Sequence, residues 1–191
     1  MSRRTATSHS KASPELPKPG AELKKKLSHL ASNEHEAVVT EFEQALICAA
    51  EAFYRWGGAL LGAIGREWNL NGQDCVILQQ LVAANGPRRV SDLARFANRD
   101  DPSNIQYSIK KLVTAGLIKK TESTSFRDAA YEPTEAAGPV TKRFIDARRE
   151  LLMDPTAALP GVLDQFANAT WALGLVTGLY DHGARVLSRR D

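Results

Sequence analysis

The stretch SDLARFANRDDPSNIQYSIKKLVTAGLIKKT, residues 91–121, decides how the whole chain is read. Ser91 can cap a short helix carrying Leu93, Ala94 and Phe96, and Asn98 supplies a left-handed stop for it. Asp101-Pro102-Ser103 opens a second helix, with Asp at the cap and Pro at the first helical position, where a missing N–H costs nothing. That helix reaches Ala115, and Gly116 ends it. Within it Ile105, Ile109, Leu112 and Val113 fall at i, i+4, i+7 and i+8 and make one apolar face. Leu117 to Thr121 then reads as a strand, Glu122 to Ala130 as a polar turn, and Tyr131 to Pro133 as the returning strand. Upstream, Asn71 to Ala84 forms another helix, with apolar positions at Cys75, Ile77, Leu78, Leu81 and Val82 and a stop at Gly86-Pro87. Helix, short turn, helix and hairpin in this order make a winged helix-turn-helix, expected over residues 70–134 of a mainly α chain with a small β-hairpin.

The flanks have a different texture. Leu46, Ala50, Phe53, Gly57, Leu60 and Ile64 alternate steps of four and three, which keeps one stripe of a long helix apolar. Gly57 and Gly58 each weaken that helix by about 1 kcal/mol relative to Ala, so something packed closely on the stripe is expected to compensate. Val162, Phe166, Ala169, Leu173, Val176, Tyr180, Gly183 and Leu187 repeat the spacing near the other end. These two seams can pack on each other or pair with the same helices of a second copy. So much seam on a chain of 191 residues favours a homodimer, with 34–69 and 135–191 as its helical dimerisation region. Residues 1–33 read as a basic tail, broken by Pro14, Pro17 and Pro19 and able to form only a short helix over 21–31.

Charge is distributed in blocks. The net charge is only +3, but residues 1–30 carry +5, 31–86 carry −5, 87–127 carry +5 and 128–191 carry −2. A basic centre between acidic flanks points to one surface facing an anionic polymer. Two cysteines, Cys48 and Cys75, are too few for a disulfide framework or a four-ligand zinc site, so no metal and no cofactor are expected. Arg3 and Arg4 are followed by no apolar stretch and no run of 18 apolar residues occurs, so a cytoplasmic protein with no membrane contact is expected. The four histidines form no His-x-x-x-His pair, and Gly-x-Ser-x-Gly and phosphate-loop patterns are absent, which argues against an enzyme.

The outer faces of the 102–115 helix carry Ser103, Asn104, Gln106, Tyr107, Lys110 and Lys111 beyond Pro102. Amides can pair with adenine, hydroxyls donate or accept, and ammonium groups meet phosphates, a set suited to double-stranded DNA. Arg88, Arg89, Lys119 and Lys120 join Lys110 and Lys111 as candidate phosphate contacts. If about eight phosphates are neutralised across a dimer, log K should fall with log salt at a slope near −7. Two recognition helices related by a two-fold axis would enter major grooves about 34 Å apart, so the operator should be an imperfect palindrome.

Leu70-Asn71, Val76-Ile77-Leu78, Leu81, Leu93-Ala94, Ser103, Leu112, Gly116-Leu117-Ile118, Arg127 and Thr134 together resemble the MarR family of bacterial transcription regulators, over about 70 residues. The resemblance implies a winged helix with long terminal helices that dimerise. It also implies a recognition helix opened by Ser103 and a wing whose Ser125 and Arg127 reach the minor groove, where a narrow A·T-rich groove attracts an arginine. Several positions depart from the family pattern. Ser125-Phe126-Arg127 stands where the wing normally reads Asp-Arg-Arg, Tyr107 occupies a position most often basic, and Gly138 follows Thr134 one place late. Phe126 is either an apolar wedge or a wing-root packing residue. The thinned wing leaves open a protein-interaction or assembly module, or a non-specific DNA binder. The resemblance further implies a small-molecule effector, for which Tyr54, Trp56 and Trp68 are the candidate pocket, against the alternative that they are ordinary core. Cys75 is expected to be buried and inert, and neither cysteine has the cationic neighbours of a redox sensor.

Overall fold

The computed structural model of the chain describes residues 31–98, 102–121 and 129–189. The short helix considered for 21–31, the Asp101 cap and the wing residues Ser125, Phe126 and Arg127 fall outside that range, apart from residue 31 itself. The chain divides into two units, Met1–Tyr54 and Arg55–Asp191.

Helix α1, Glu34–Glu67, runs through the boundary between them. In the first unit its start is fixed by a reciprocal cap. The Asn33 side chain accepts the Glu36 N–H at 3.0 Å, and the Glu36 carboxylate accepts the Ser32 N–H at 2.6 Å. Hydrogen bonding from the Ser32 backbone holds the Glu36 carboxyl below its usual range.

Among the described residues, the second unit holds the rest of α1 and every other element. Asn71 caps α2, Gly72–Ala83, by accepting from the Gln73 and Asp74 N–H groups while Asp74 accepts from Asn71 at 2.7 Å. The close packing expected at the glycine pair is found here. A Cβ on Gly57 would lie 3.2 Å from the Cα and carbonyl oxygen of Gly72, so two backbones meet where no side chain fits. Strand β1, Arg88–Arg89, leads directly into α3, Val90–Phe96. Ser91 is therefore not the cap. Arg89 holds that position and its N–H donates to Asp92 at 3.3 Å. Asn98 takes the left-handed conformation expected of it, with φ 49°.

Helix α4, Pro102–Thr114, ends in a Schellman turn. Gly116 sits at φ 69°, its N–H donates to the Val113 carbonyl, and the Leu117 N–H donates to the Leu112 carbonyl at 3.0 Å. Strands β2, Ile118–Lys120, and β3, Ala130–Pro133, pair antiparallel with Lys119 opposite Glu132. The sequence reading missed β1, which pairs with β3 on the other side and makes the sheet three-stranded in the order β1-β3-β2. The β1 pairing stops at Tyr131, so the proline ring at 133 interrupts no bond on that side. The Thr134 hydroxyl donates to the Gly116 carbonyl at 2.5 Å and ties the exit of the sheet to the end of α4.

Helix α5, Ala137–Arg148, continues through a π-helical turn, Arg149–Met153, into α6, Asp154–Ala157. Gly161, at φ 72°, then opens α7, Val162–Leu187. The core is one cluster contributed by the second half of α1 (Leu60, Leu61), α2 (Ile77, Leu78, Leu81), α3 (Leu93, Ala94), α4 (Ile105, Ile109, Leu112), β2 and α5 (Val140). Helix α7 spans the seam read from the sequence, yet most of that seam stays open: Phe166 is 50% exposed and Tyr180 45%. Among the described residues no helix is long and apolar enough to cross a membrane.

Candidate nucleic-acid interface

The buried positions of α4 are Ile105, Ser108, Ile109 and Leu112, which seat it on α2 and α3. At 100° per residue this burial turns Ser103, Gln106, Tyr107, Lys110 and Thr114 outward together, and all five are exposed. Asn104 is exposed on the flank, while Pro102 forms the first residue of the helix. A groove of about 310 Å³ runs between α4 and the sheet. Gln106, Lys110 and Thr114 line one wall and Lys120 and Tyr131 the other, with Val90, Ile109 and Val113 also contributing. The fold thus brings an amide, two ammonium groups and a phenol from three elements to one surface. Arg88 and Arg89 are exposed on β1 at the far edge of the sheet.

Lys119 and Lys111, both expected phosphate contacts, form ion pairs within the chain. Lys119 pairs with Glu132 across the strands at 3.2 Å and remains mostly exposed. Lys111 differs from its neighbours on α4 more deeply. Its ammonium turns inward to the Asp74 carboxylate, and its side chain is only 12% exposed. The physical reason is that Asp74, 1% exposed, is a carboxylate inside the core, and a buried charge requires an opposite charge beside it. Sequence reasoning missed Asp74. The available signal was Asn71-x-x-Asp74, which marks a helix start without revealing that the carboxylate is buried.

Tyr54 meets Phe53 edge-on at 6.0 Å, Trp56 packs against Phe144 at 5.9 Å, and Trp68 is 40% exposed just past the end of α1. Phe144 also borders an apolar cavity of about 220 Å³. Leu60 of α1, Cys75, Leu78 and Val82 of α2, and Val140 and Phe144 of α5 surround it, and Gln79 and Thr141 are among its few polar groups. Burial pushes the Cys75 thiol up, opposed by the Gln79 amide donating to its sulfur at 3.2 Å, so the thiolate needed for redox sensing is disfavoured. Among the described residues no group of His, Cys, Asp and Glu is placed to hold a metal.

Residues 70–137 match the family described as a winged helix DNA-binding domain. No curated protein matches the chain in sequence. Among solved structures, the chain is similar to a MarR family protein from Bacillus stearothermophilus at 16% identity, covering 76% of this chain and 99% of that one with a TM-score of 0.54. It is similar to reduced AbfR bound to DNA at 11% identity, covering 80% and 98% with a TM-score of 0.57. A third is RV1404 from Mycobacterium tuberculosis, at 20% identity, 71% and 92% coverage and a TM-score of 0.51. Over residues 70–137 the chain is therefore similar to a winged helix DNA-binding domain. What the chain shares with these solved structures is the winged-helix fold.

Proposed function

We propose that this protein is a cytoplasmic transcription regulator that binds a palindromic operator as a homodimer and whose DNA binding is modulated by a small molecule. The observation that carries the reading is the exposed groove that Gln106 and Lys110 of α4 share with Lys120 of β2 and Tyr131 of β3, with Tyr107 exposed on the same helix and Arg88 and Arg89 exposed on β1. In a winged helix this is the surface that meets DNA, with α4 in the major groove and the cations on the flanking phosphates. Ser125 and Arg127 of the wing are assigned to the adjacent minor groove by the family resemblance. Support for the dimer comes from the open seam of α7, a run of large apolar side chains that solvent does not favour. Besides the candidate pocket of Tyr54, Trp56 and Trp68, the cavity between α1, α2 and α5 offers an effector site. It suits a small, mostly apolar compound able to hydrogen-bond Gln79 or Thr141.

The test is selection from random duplex DNA by the full-length protein at about 150 mM salt, where non-specific contacts are already weakened. A palindrome with half-sites one helical turn apart is the expected product. Enrichment of no sequence, with binding that vanishes in salt, would refute the operator reading.

A further inference from the structure

Tyr107 presents an unusual combination on α4. It is a large, partly apolar side chain, 60% exposed, on a face otherwise made of hydroxyl, amide and ammonium groups. An exposed tyrosine ordinarily samples several rotamers, but this ring has a neighbour that is itself immobilised. The Lys111 ammonium lies 5.5 Å from the ring centroid. The same ammonium pairs with Asp74 Oδ2, and that oxygen also accepts the Asn71 N–H at 2.7 Å in the cap of α2. Two packed helices thus fix the carboxylate, the carboxylate fixes the ammonium, and the ammonium attracts the face of the ring.

We propose that Tyr107 is the specificity-determining side chain of α4, packing its ring against a thymine C5 methyl group. In this arrangement Lys111, locked by Asp74, is the positioning residue that holds the ring. The inference rests on α4 being the recognition helix and adds what that helix reads. Thymine carries the only apolar group in the major groove, and a ring flanked by Gln106 and Lys110, 60% exposed, is the most exposed large apolar surface of α4. A surface that only neutralised phosphates would have no use for an aromatic ring there. Because the ring is already held, less side-chain freedom is lost on binding. Lys111, with its ammonium engaged inside the protein, then contributes nothing to the phosphate contacts.

The experiment starts from the operator selected by the wild-type protein and replaces each thymine in turn by uracil, which removes the methyl group and nothing else. Wild type is expected to lose about four- to tenfold in affinity at one thymine in each half-site, the amount that one buried methyl supplies. Tyr107→Phe keeps that discrimination, and Tyr107→Ala binds the thymine and uracil operators equally. The paired variant Asp74→Asn/Lys111→Met leaves no unpaired buried charge, so it stays folded. It should lose most of the discrimination while keeping the wild-type salt slope, and Lys111→Arg should retain part of it. Discrimination that survives intact in Tyr107→Ala overturns the proposal. A paired variant that weakens every sequence equally, with a salt slope shallower by about one per protomer, also overturns it by making Lys111 a phosphate contact. If wild type selects no sequence at all, the recognition reading itself fails and takes this inference with it.

Discussion

Replacing Gly62 by Ala tests how α1 is built, because two arrangements of that helix predict effects of opposite sign. Gly62 has φ 57° and ψ −125°, a backbone conformation open to glycine and strained for any residue with a Cβ. A Cβ there would also lie 2.4 Å from Arg143 Nη1, and the guanidinium would have to withdraw. Arg143 would then lose the bond that its Nη2 donates to the Ala59 carbonyl at 3.4 Å, within the break in the helix. The strained backbone costs about 1–3 kcal/mol and the lost bond about 1 kcal/mol, so Gly62→Ala should destabilise by about 2–4 kcal/mol. With a urea m-value of about 2 kcal/mol/M the unfolding midpoint falls by about 1–2 M. The assay is urea unfolding followed by helical circular dichroism, at one fixed protein concentration because association adds to apparent stability. Gly62→Ala combined with Arg143→Ala should recover only the clash and leave the backbone strain. Were α1 straight at this point, alanine would instead stabilise it by about 1 kcal/mol. A midpoint at or above that of wild type therefore refutes the kink.

Four further outcomes follow from the same structure. Leu112 is fully buried at the centre of the cluster, so Leu112→Ala should cost about 2–5 kcal/mol in thermal or urea unfolding. The exposed Cys48 should react rapidly with a thiol reagent, whereas Cys75 should react only as the protein unfolds. Since burial raises the Cys75 thiol, its contribution to stability is complete below the ordinary thiol range and is lost as pH rises through the shifted value. Unfolding measured across that range should show this loss in wild type and lack it in Cys75→Ala. Placing a charge on the open seam, Phe166→Glu with Tyr180→Glu, should give a monomer in sedimentation and abolish operator binding; a dimer of unchanged stability would show that α7 is not the interface.

The parts legible in the sequence were those written in local spacing. The apolar positions of α4 and the glycine that ends it lie within a few residues of one another, and a 3.6-residue period places them on one face without knowledge of anything else. The same holds for the α7 seam and for the left-handed Asn98. What escaped the reading depended on partners distant in the chain. Strand β1 is two arginines long, too short and too charged to show alternation, and it exists because β3 offers an unpaired edge. That pairing carries the chain straight into α3, which is why the cap falls on Arg89 and not on Ser91. Arg143 and Gly62 meet only because α5 crosses the break in α1. In the same way the apolar cavity forms where α1 and α2 meet α5, which is distant from them in the chain, with Trp56 packed on one of the lining residues, Phe144.

The electrostatics show most clearly how folding revises a count made along the chain. The basic segment 87–127 holds nine cations, and by composition alone all of them are available to DNA. In the fold, Lys111 is neutralised inside the protein by Asp74, a residue of the acidic segment before it. Lys119 faces Glu132, and Arg95 lies 3.9 Å from Asp92. Among the described residues Arg88 and Arg89 of β1, Lys110 of α4 and Lys120 of β2 are exposed to solvent, four in each protomer. A dimer presenting eight such charges has a salt slope near −7, since each neutralised phosphate contributes about −0.9. Recruiting Lys111 and Lys119 from both protomers would steepen it to about −11. Operator affinity measured between about 50 and 200 mM salt separates these values, because each unit of slope is about fourfold in affinity over that range. A slope near −11 would mean that both ion pairs open on DNA and that the buried Asp74 surrenders its partner, which the depth of that carboxylate makes the costlier arrangement.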